Sequence, residues 1–248
     1  MHDLSEQLVR KIILSLEKVI DESEGPFYAA FDADGTLWDT DIGENFFHYQ
    51  IENRLVENLP PDPWEHYLKL KKEISPPAAY LWLAQINRGH SLEEVRAWSQ
   101  ECNKKGPAIP YLKGQKKIIS FLHSKKVNVY VVSASIKWAI EPAAAIFDIP
   151  QERCLGVKTK IDPKGIITDI QDGPITWKKG KVEGLMLATH GVSPIFASGN
   201  TPGDLALLEA ATHHRLTIAG SKENQELYAD ELSLAEEAKK RGWFCHLP

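Results

Sequence analysis

At 248 residues, with 43% hydrophobic and 25% charged residues, the chain has the composition of a compact folded protein, and extended disorder is excluded. Its net charge of -5 offers no basic field for a polyanion, so no nucleic-acid partner is expected and a small ligand is. The widely separated Cys102, Cys154 and Cys245 suit neither a disulfide framework nor a clustered zinc site, and they are read as reduced.

From Asp3 to Ile20, Leu8, Ile12, Leu16 and Val19 share one helical face between charged residues, which predicts an amphipathic helix. It lacks the apolar core of a signal peptide, and nowhere do about eighteen apolar residues run together, so no membrane association is expected and the protein reads as cytoplasmic. A short apolar run, Pro26 to Phe31, ends abruptly in Asp32-Ala33-Asp34-Gly35-Thr36, the pattern of a buried strand and a tight turn. Further buried strands are predicted at Val127 to Val132, Pro194 to Ala197 and Leu216 to Ala219. Helical patterns at Lys113 to Lys125, Ile136 to Phe147, Lys181 to His190 and Asp204 to Ala211 alternate with them. That alternation predicts an α/β fold with a Rossmann-like parallel sheet flanked by helices, whose ligands bind beyond the carboxyl ends of the strands.

Two insertions interrupt the pattern. Residues 42–110 carry no convincing strand, and helices are predicted at Gly43 to Glu57, Trp64 to Ile74 and from the capping box Ser91-Leu92-Glu93-Glu94 to Cys102, with prolines 60, 61, 63, 76 and 77 as punctuation. An α-helical cap inserted after the first strand is expected there, over a core made of 1–41 and 111–248. Cys154 to Ile170 reads as a hairpin around Asp162-Pro163-Lys164-Gly165.

The chemistry concentrates where strands end. Asp32 and Asp34 leave the first strand two residues apart, and their mutual repulsion becomes useful if they hold a divalent cation such as Mg2+ beside a phosphate. Asp32 could attack phosphorus to form an aspartyl phosphate, while Asp34 protonates the leaving alcohol and later deprotonates water. Gly35 would permit the turn and Thr36 would donate hydrogen bonds at the mouth; an acidic turn without function is the alternative.

Phe31-Asp32-Ala33-Asp34-Gly35-Thr36-Leu37 resembles the first signature of the haloacid dehalogenase-like hydrolase superfamily. Val129 to Ser133, Lys181 near a helix start, and Gly199-Asn200 with Asp204 are similar to its second, third and fourth signatures, in the expected order. A large insert between the first two is the arrangement of its phosphoserine phosphatase-like branch. The resemblance implies that the Ser133 hydroxyl and the Ala134 amide bind phosphoryl oxygens, and that Lys181 neutralises charge between nucleophile and phosphate. Ser133 or Ser135 could instead cap the following helix. The resemblance further implies a metal site of Asp32, Asp34, Asp204 and Asn200, the last standing where many relatives have aspartate. Asn200 brings no charge, so weaker metal affinity is expected, and Asn200→Asp is expected to tighten magnesium. Asp204 would act directly or through water, and it also suits a helix start behind Thr201 and Pro202.

These residues together predict a magnesium-dependent phosphatase acting on a small phosphorylated metabolite. Trp38, Phe46, Phe47, Tyr49, Trp64, Tyr67, Tyr80, Trp82 and Trp98 are read chiefly as core, with one or two available beside Asp41 or Glu44 for a quaternary ammonium group. Asp41 and Glu44 could equally meet an amino group, and Arg88 a carboxylate, whereas His48, His66 and His90 read as surface residues. A phosphotransferase, a dehalogenase and a binding protein that lost turnover are the rival readings; Asp34 opposes the second and Asn200 keeps the third open. Oligomeric state is not encoded legibly.

Overall fold

The computed structural model describes residues 3–247. Strands β1 (Tyr28–Phe31), β2 (Asn128–Ile136) and β3 (Cys154–Val157) are followed by a small hairpin of β4 (Thr159–Ile161) and β5 (Ile167–Gln171). Strands β6 (Phe196–Gly199), β7 (His214–Ile218) and β8 (Phe244–His246) come after it. Six of them form one sheet in the order β3-β2-β1-β6-β7-β8, and every pairing in it is parallel.

Both faces of this sheet are buried, which is why its strands read as apolar runs rather than as alternating patterns. Ala29, Phe31, Val129, Val131 and Phe196 pack with Ile12 and Leu16 of α1 (Glu6–Asp21) and with Ile118, Ile119 and Leu122 of a helix over Lys113–Ser124. Ala30, Val132 and Ala197 belong to a second cluster, with Leu185, Leu207, Leu208 and Leu234 from three later helices. The chain runs outward from β1 to β3, then returns to β6 on the other side of β1. The reversal between β1 and β6 opens a crevice at their carboxyl ends, where Asp32 and Asn200 leave the sheet.

The segment between β1 and β2 is helical: α2 (Ile42–Glu52), α3 (Pro63–Lys69) continuing as a π turn over Leu70–Ile74, α4 (Pro76–Gln85) and α5 (Leu92–Lys105). Its entry and exit run side by side, with Asp39 N donating to Pro110 O (2.7 Å) and Leu112 N to Leu37 O (2.9 Å). After it come α6 (Lys113–Ser124), α7 (Lys137–Ala144), α8 (Lys179–Ala188), α9 (Leu205–Ala210) and α10 (Tyr228–Lys240).

Several elements differ from the sequence expectation. Prolines 63 and 76 open helices instead of separating them: each follows a capping residue, Asp62 or Ser75, at the position where a missing N–H costs nothing. Helix α4 was hidden for this reason. Cys154–Val157 is not a hairpin arm but an edge strand parallel to β2, and only the shorter β4–β5 pair forms the hairpin. Strand β8 is three residues long and, like α10, was not anticipated.

Two attachments tie the insert to the rest of the chain. The loop between α4 and α5 pairs with the hairpin through Gly89 N to Ile167 O (3.0 Å), Ile167 N to His90 O (2.9 Å) and Leu92 N to Gly165 O (3.0 Å). On α5, the Arg96 guanidinium donates twice to Glu141 of α7, at 2.7 and 2.9 Å. Glu141 is buried, and Lys137 is its second cation at 3.4 Å. Removing one partner of a buried pair leaves an undercompensated charge, so Arg96→Ala should cost about 2 kcal/mol in urea denaturation, and a midpoint equal to that of the parent would exclude this clamp.

Candidate active site

Asp32 sits one residue beyond β1, where its backbone N–H still pairs with Ser198 O of β6 (2.9 Å). Its side chain is buried between two donors. Thr36 Oγ1 donates to Oδ2 at 2.9 Å, and Lys181 Nζ donates to Oδ1. Lys181 lies in the first turn of α8, is 4% exposed, and also donates to Asp204 Oδ1 at 2.5 Å. The other Asp204 oxygen accepts from Asn200 N (3.0 Å) and Thr201 N (3.1 Å), so Asp204 caps the turn after β6 while it shares the ammonium with Asp32.

Burial disfavours charge on Lys181, but Asp204 and Asp32 outweigh it and raise its pKa above the ordinary lysine value. Burial, and after it the Asp204 charge, pushes the Asp32 carboxyl up to about 7 against the pull of Lys181. Asp34 is also raised, mainly by burial, although Ile42 N–H, Trp38 and Ser135 hydrogen-bond to it and oppose the shift.

Asp34 points toward the insert. Its Oδ1 accepts from Trp38 Nε1 (2.6 Å) and Ile42 N (2.9 Å), and its Oδ2 accepts from Ser135 Oγ (2.8 Å). Immediately after Asp34, Gly35 adopts φ +77°, and a Cβ there would fall 2.0 Å from Asn200 Nδ2. Only glycine satisfies both the left-handed turn and that close approach.

Ser133 and Ala134 line the same cavity of about 180 Å3, together with Asp32, Asp34, Lys181, Asn200 and Asp204. Strand β2 does not stop at Val132; it continues through both serines to Ile136, and α7 starts without a side-chain cap. Neither serine is therefore a helix cap. Ser133 is buried and accepts from Ser135 N (3.0 Å), while its carbonyl accepts from Thr176 Oγ1.

The structure thus brings Asp32, Asp34, Ser133, Ala134, Lys181, Asn200 and Asp204 together around one cavity and relocates Thr36. Thr36 is fully buried outside the cavity wall rather than at the mouth, and its hydroxyl holds Asp32 instead of facing a ligand. Sequence reasoning missed Ser135 and Trp38 as partners of Asp34, Trp177 as a cavity wall, and Glu231, which accepts from Asn200 Nδ2 at 3.1 Å. A signal for Glu231 existed: it shares the buried face of α10 with Leu234, Ala235 and Ala238, where a carboxylate needs partners. Arg88, read as a possible carboxylate contact, pairs instead with Asp169 at an exposed position away from this cavity. Of the aromatic residues in the insert, Tyr67 and Tyr80 reach the cavity; Phe47, Trp64 and Trp82 pack against one another, and Trp98 meets His90.

As donors for a divalent cation the residues form an all-oxygen set. Asp32 Oδ2 faces Thr36, and Asn200 Oδ1 lies 3.4 Å from the same hydroxyl, opposite the amide nitrogen held by Glu231. Asp32, Asp34 and Asp204 each have both carboxylate oxygens hydrogen-bonded, so a cation would take their remaining lone pairs, the main-chain carbonyl of Asp34, or, at Asp204, a bridging water. Among the described residues there is no cluster of three His, Cys, Asp or Glu side chains poised for a metal, so amide and main-chain oxygens must complete the shell. Hard oxygen donors, few in number, fit Mg2+, which keeps waters and phosphate oxygens as its remaining ligands.

The profile of the haloacid dehalogenase-like hydrolase family matches residues 29–209. The chain is 24% identical over 239 residues to a phosphorylcholine phosphatase of Pseudomonas aeruginosa, a match covering 71% of this chain and 68% of that protein. Its fold is similar to that of a Bordetella pertussis Tohama I protein of unknown function, with TM-score 0.71, 19% identity, and coverage of 90% of this chain and 98% of the other. A phosphoserine phosphohydrolase-like protein from Francisella tularensis is similar at TM-score 0.53 and 15% identity, over 89% of this chain and 94% of that one. With the family profile spanning β1 through α9 and hence every residue of the Asp32–Lys181–Asp204 site, the chain belongs to the haloacid dehalogenase-like hydrolases.

Proposed function

We propose that the protein is a magnesium-dependent phosphatase that cleaves a small phosphomonoester through an aspartyl phosphate on Asp32. It is a phosphoric monoester hydrolase by family and kinship. The observation that carries the mechanism is the placement of Asp32 between Thr36 and Lys181, facing a cavity also lined by Ser133 and Ala134. Asp32 attacks phosphorus as the bond to the leaving oxygen breaks, and Asp34 gives that oxygen its proton. The raised Asp34 pKa supports a protonated acid, and Ser135, a rotatable hydroxyl, yields Oδ2 to the leaving group. Asp34 then takes a proton from water as it attacks the phosphoryl group, which releases inorganic phosphate and restores Asp32. Throughout, the Ser133 hydroxyl, the Ala134 amide and Lys181 are aimed at the phosphoryl oxygens. Magnesium, held by Asp32, Asn200 and the main chain of Asp34, would supply the positive charge that a phosphate dianion needs beside so many carboxylates.

The insert serves as the cap, with residues 42–110 closing the cavity over a core of 1–41 and 111–248. The cavity wall there combines Asp41, at the junction of core and insert, and Glu44 with the rings of Tyr67 and Tyr80, and Trp177 adds a ring from the core side. Glu44 accepts from Tyr67 Oη (3.1 Å) and Lys71 Nζ (3.3 Å), whereas Asp41 caps α2 through Oδ1 (2.8 Å to Glu44 N). Carboxylates and aromatic faces suit a cationic leaving group, so phosphocholine or phosphoethanolamine is the substrate class we favour. The activity of the Pseudomonas relative supports this choice, and the three free cysteines support a cytoplasmic setting.

Phosphate release from a panel of small phosphomonoesters should occur with magnesium and stop with chelator; release unaffected by chelator would remove the metal from the reading. Asp34→Asn should lower kcat/KM, which reports the steps through leaving-group departure, by about a hundredfold or more for esters of alcohols and far less for 4-nitrophenyl phosphate, whose leaving group needs no acid, while kcat falls for both because Asp34 also activates water; equal losses in kcat/KM would contradict the acid role. Asp41→Asn retains the helix cap and should raise KM for phosphocholine about fivefold relative to 4-nitrophenyl phosphate, and an unchanged ratio would exclude Asp41 from recognition.

A further inference from the structure

Asn200 stands in a socket with three walls. Its Nδ2 donates to Glu231 Oε1 (3.1 Å), its Oδ1 lies 3.4 Å from Thr36 Oγ1, and the amide packs where a Cβ on Gly35 would collide with it. Thr36 in turn donates to Asp32 Oδ2. Glu231 is 1% exposed, and its second oxygen accepts from Gly220 N (2.9 Å) and Ser221 N (2.8 Å), on the chain just after β7. Its oxygens therefore receive three N–H groups, and it is fixed from both α10 and the β7 exit.

An amide has one donating and one accepting end, and turning Asn200 over would set oxygen against the acceptor oxygen of Glu231. We infer that Glu231 is a positioning residue that locks the Asn200 amide with its oxygen toward Asp32, and that residues 200 and 231 form a charge-matched pair. This inference rests on the proposal that Asn200 contributes an oxygen to the magnesium site. It reverses the expectation drawn from the sequence for Asn200→Asp. A carboxylate at that position would lie against the Glu231 carboxylate in a buried site, where two like-charged acceptors with no donor between them repel and push the side chains apart. The gain of a charged ligand is then cancelled unless residue 231 becomes a donor.

Four proteins decide this: the parent, Asn200→Asp, Glu231→Gln, and the double variant. Two quantities are measured on each without substrate, the thermal midpoint of the metal-free protein and Mg2+ affinity by titration calorimetry. Asn200→Asp should lower the midpoint and weaken Mg2+ binding. Glu231→Gln alone should weaken binding by about tenfold, the scale expected when the partner that orients a ligand is lost. The double variant should recover both quantities relative to Asn200→Asp and bind Mg2+ at least as tightly as the parent. Additive effects, or tighter binding in Asn200→Asp alone, would overturn the inference. Should Asn200→Asp not fold, Glu231→Gln still decides, because unchanged Mg2+ affinity in that folded variant would overturn it. A parent protein that binds no Mg2+ would instead sink the magnesium reading itself and, with it, the positioning role; coupling in the metal-free midpoints would then show only that the pair is structural.

Discussion

Lys181 is shared by two buried carboxylates, and the site depends on that sharing. Asp32 and Asp204 come from opposite sides of the sheet reversal, one after β1 and one after β6, and without a cation between them neither could remain charged and out of water. The backbone amides of Asn200 and Thr201 occupy the other Asp204 oxygen, so the ammonium is held in place rather than merely attracted. Everything else at the cavity is arranged around this bridge: Thr36 under Asp32, Asn200 beside Thr36, and Ser133 across from them.

The bridge also sets an electrostatic problem. Asp32, Asp34, Asp41, Glu44 and Asp204 all line one small cavity, while Lys181 and Lys71 are its cations. A phosphate dianion entering such a field needs further positive charge, which is the physical reason a divalent cation belongs to the proposed mechanism. A positively charged leaving group fits the same imbalance at the insert's end of the cavity. The insert is fastened on two sides, by the Arg96–Glu141 pair and by pairing with the β4–β5 hairpin, so its wall is fixed where it faces the core.

Much of this was legible in the sequence because the chemistry of a parallel sheet gathers at strand ends. Asp32, Asp34, Ser133 and Asn200 could be found by asking which apolar runs stop in small or polar residues, whereas Lys181 and Asp204 stood out only through their resemblance to the family's third and fourth signatures. What escaped depends on tertiary contact. That Asp34 turns toward Trp38, Ile42 and Ser135, and away from Asp32, is decided by partners from the insert and from β2. Thr36 has the same local sequence whether it faces solvent or Asp32, and only packing distinguishes them. Helix α4 was concealed by prolines that serve as its first residues, β8 is too short for an apolar run to separate it from a loop, and β3 read as a hairpin arm because only its tertiary pairing with β2 makes it a strand of the parallel sheet. Glu231 lies 31 positions beyond Asn200, on a helix whose docking no local pattern reveals.

The central claim is that Asp32 carries the phosphoryl group, and rapid acid quench of the enzyme during turnover of a radiolabelled phosphomonoester tests it most directly. The account predicts a hydroxylamine-labile label on the peptide containing Asp32, absent from Asp32→Asn, which should be folded and without turnover. Steady turnover with no trapped label, or label and turnover persisting in Asp32→Asn, would contradict it.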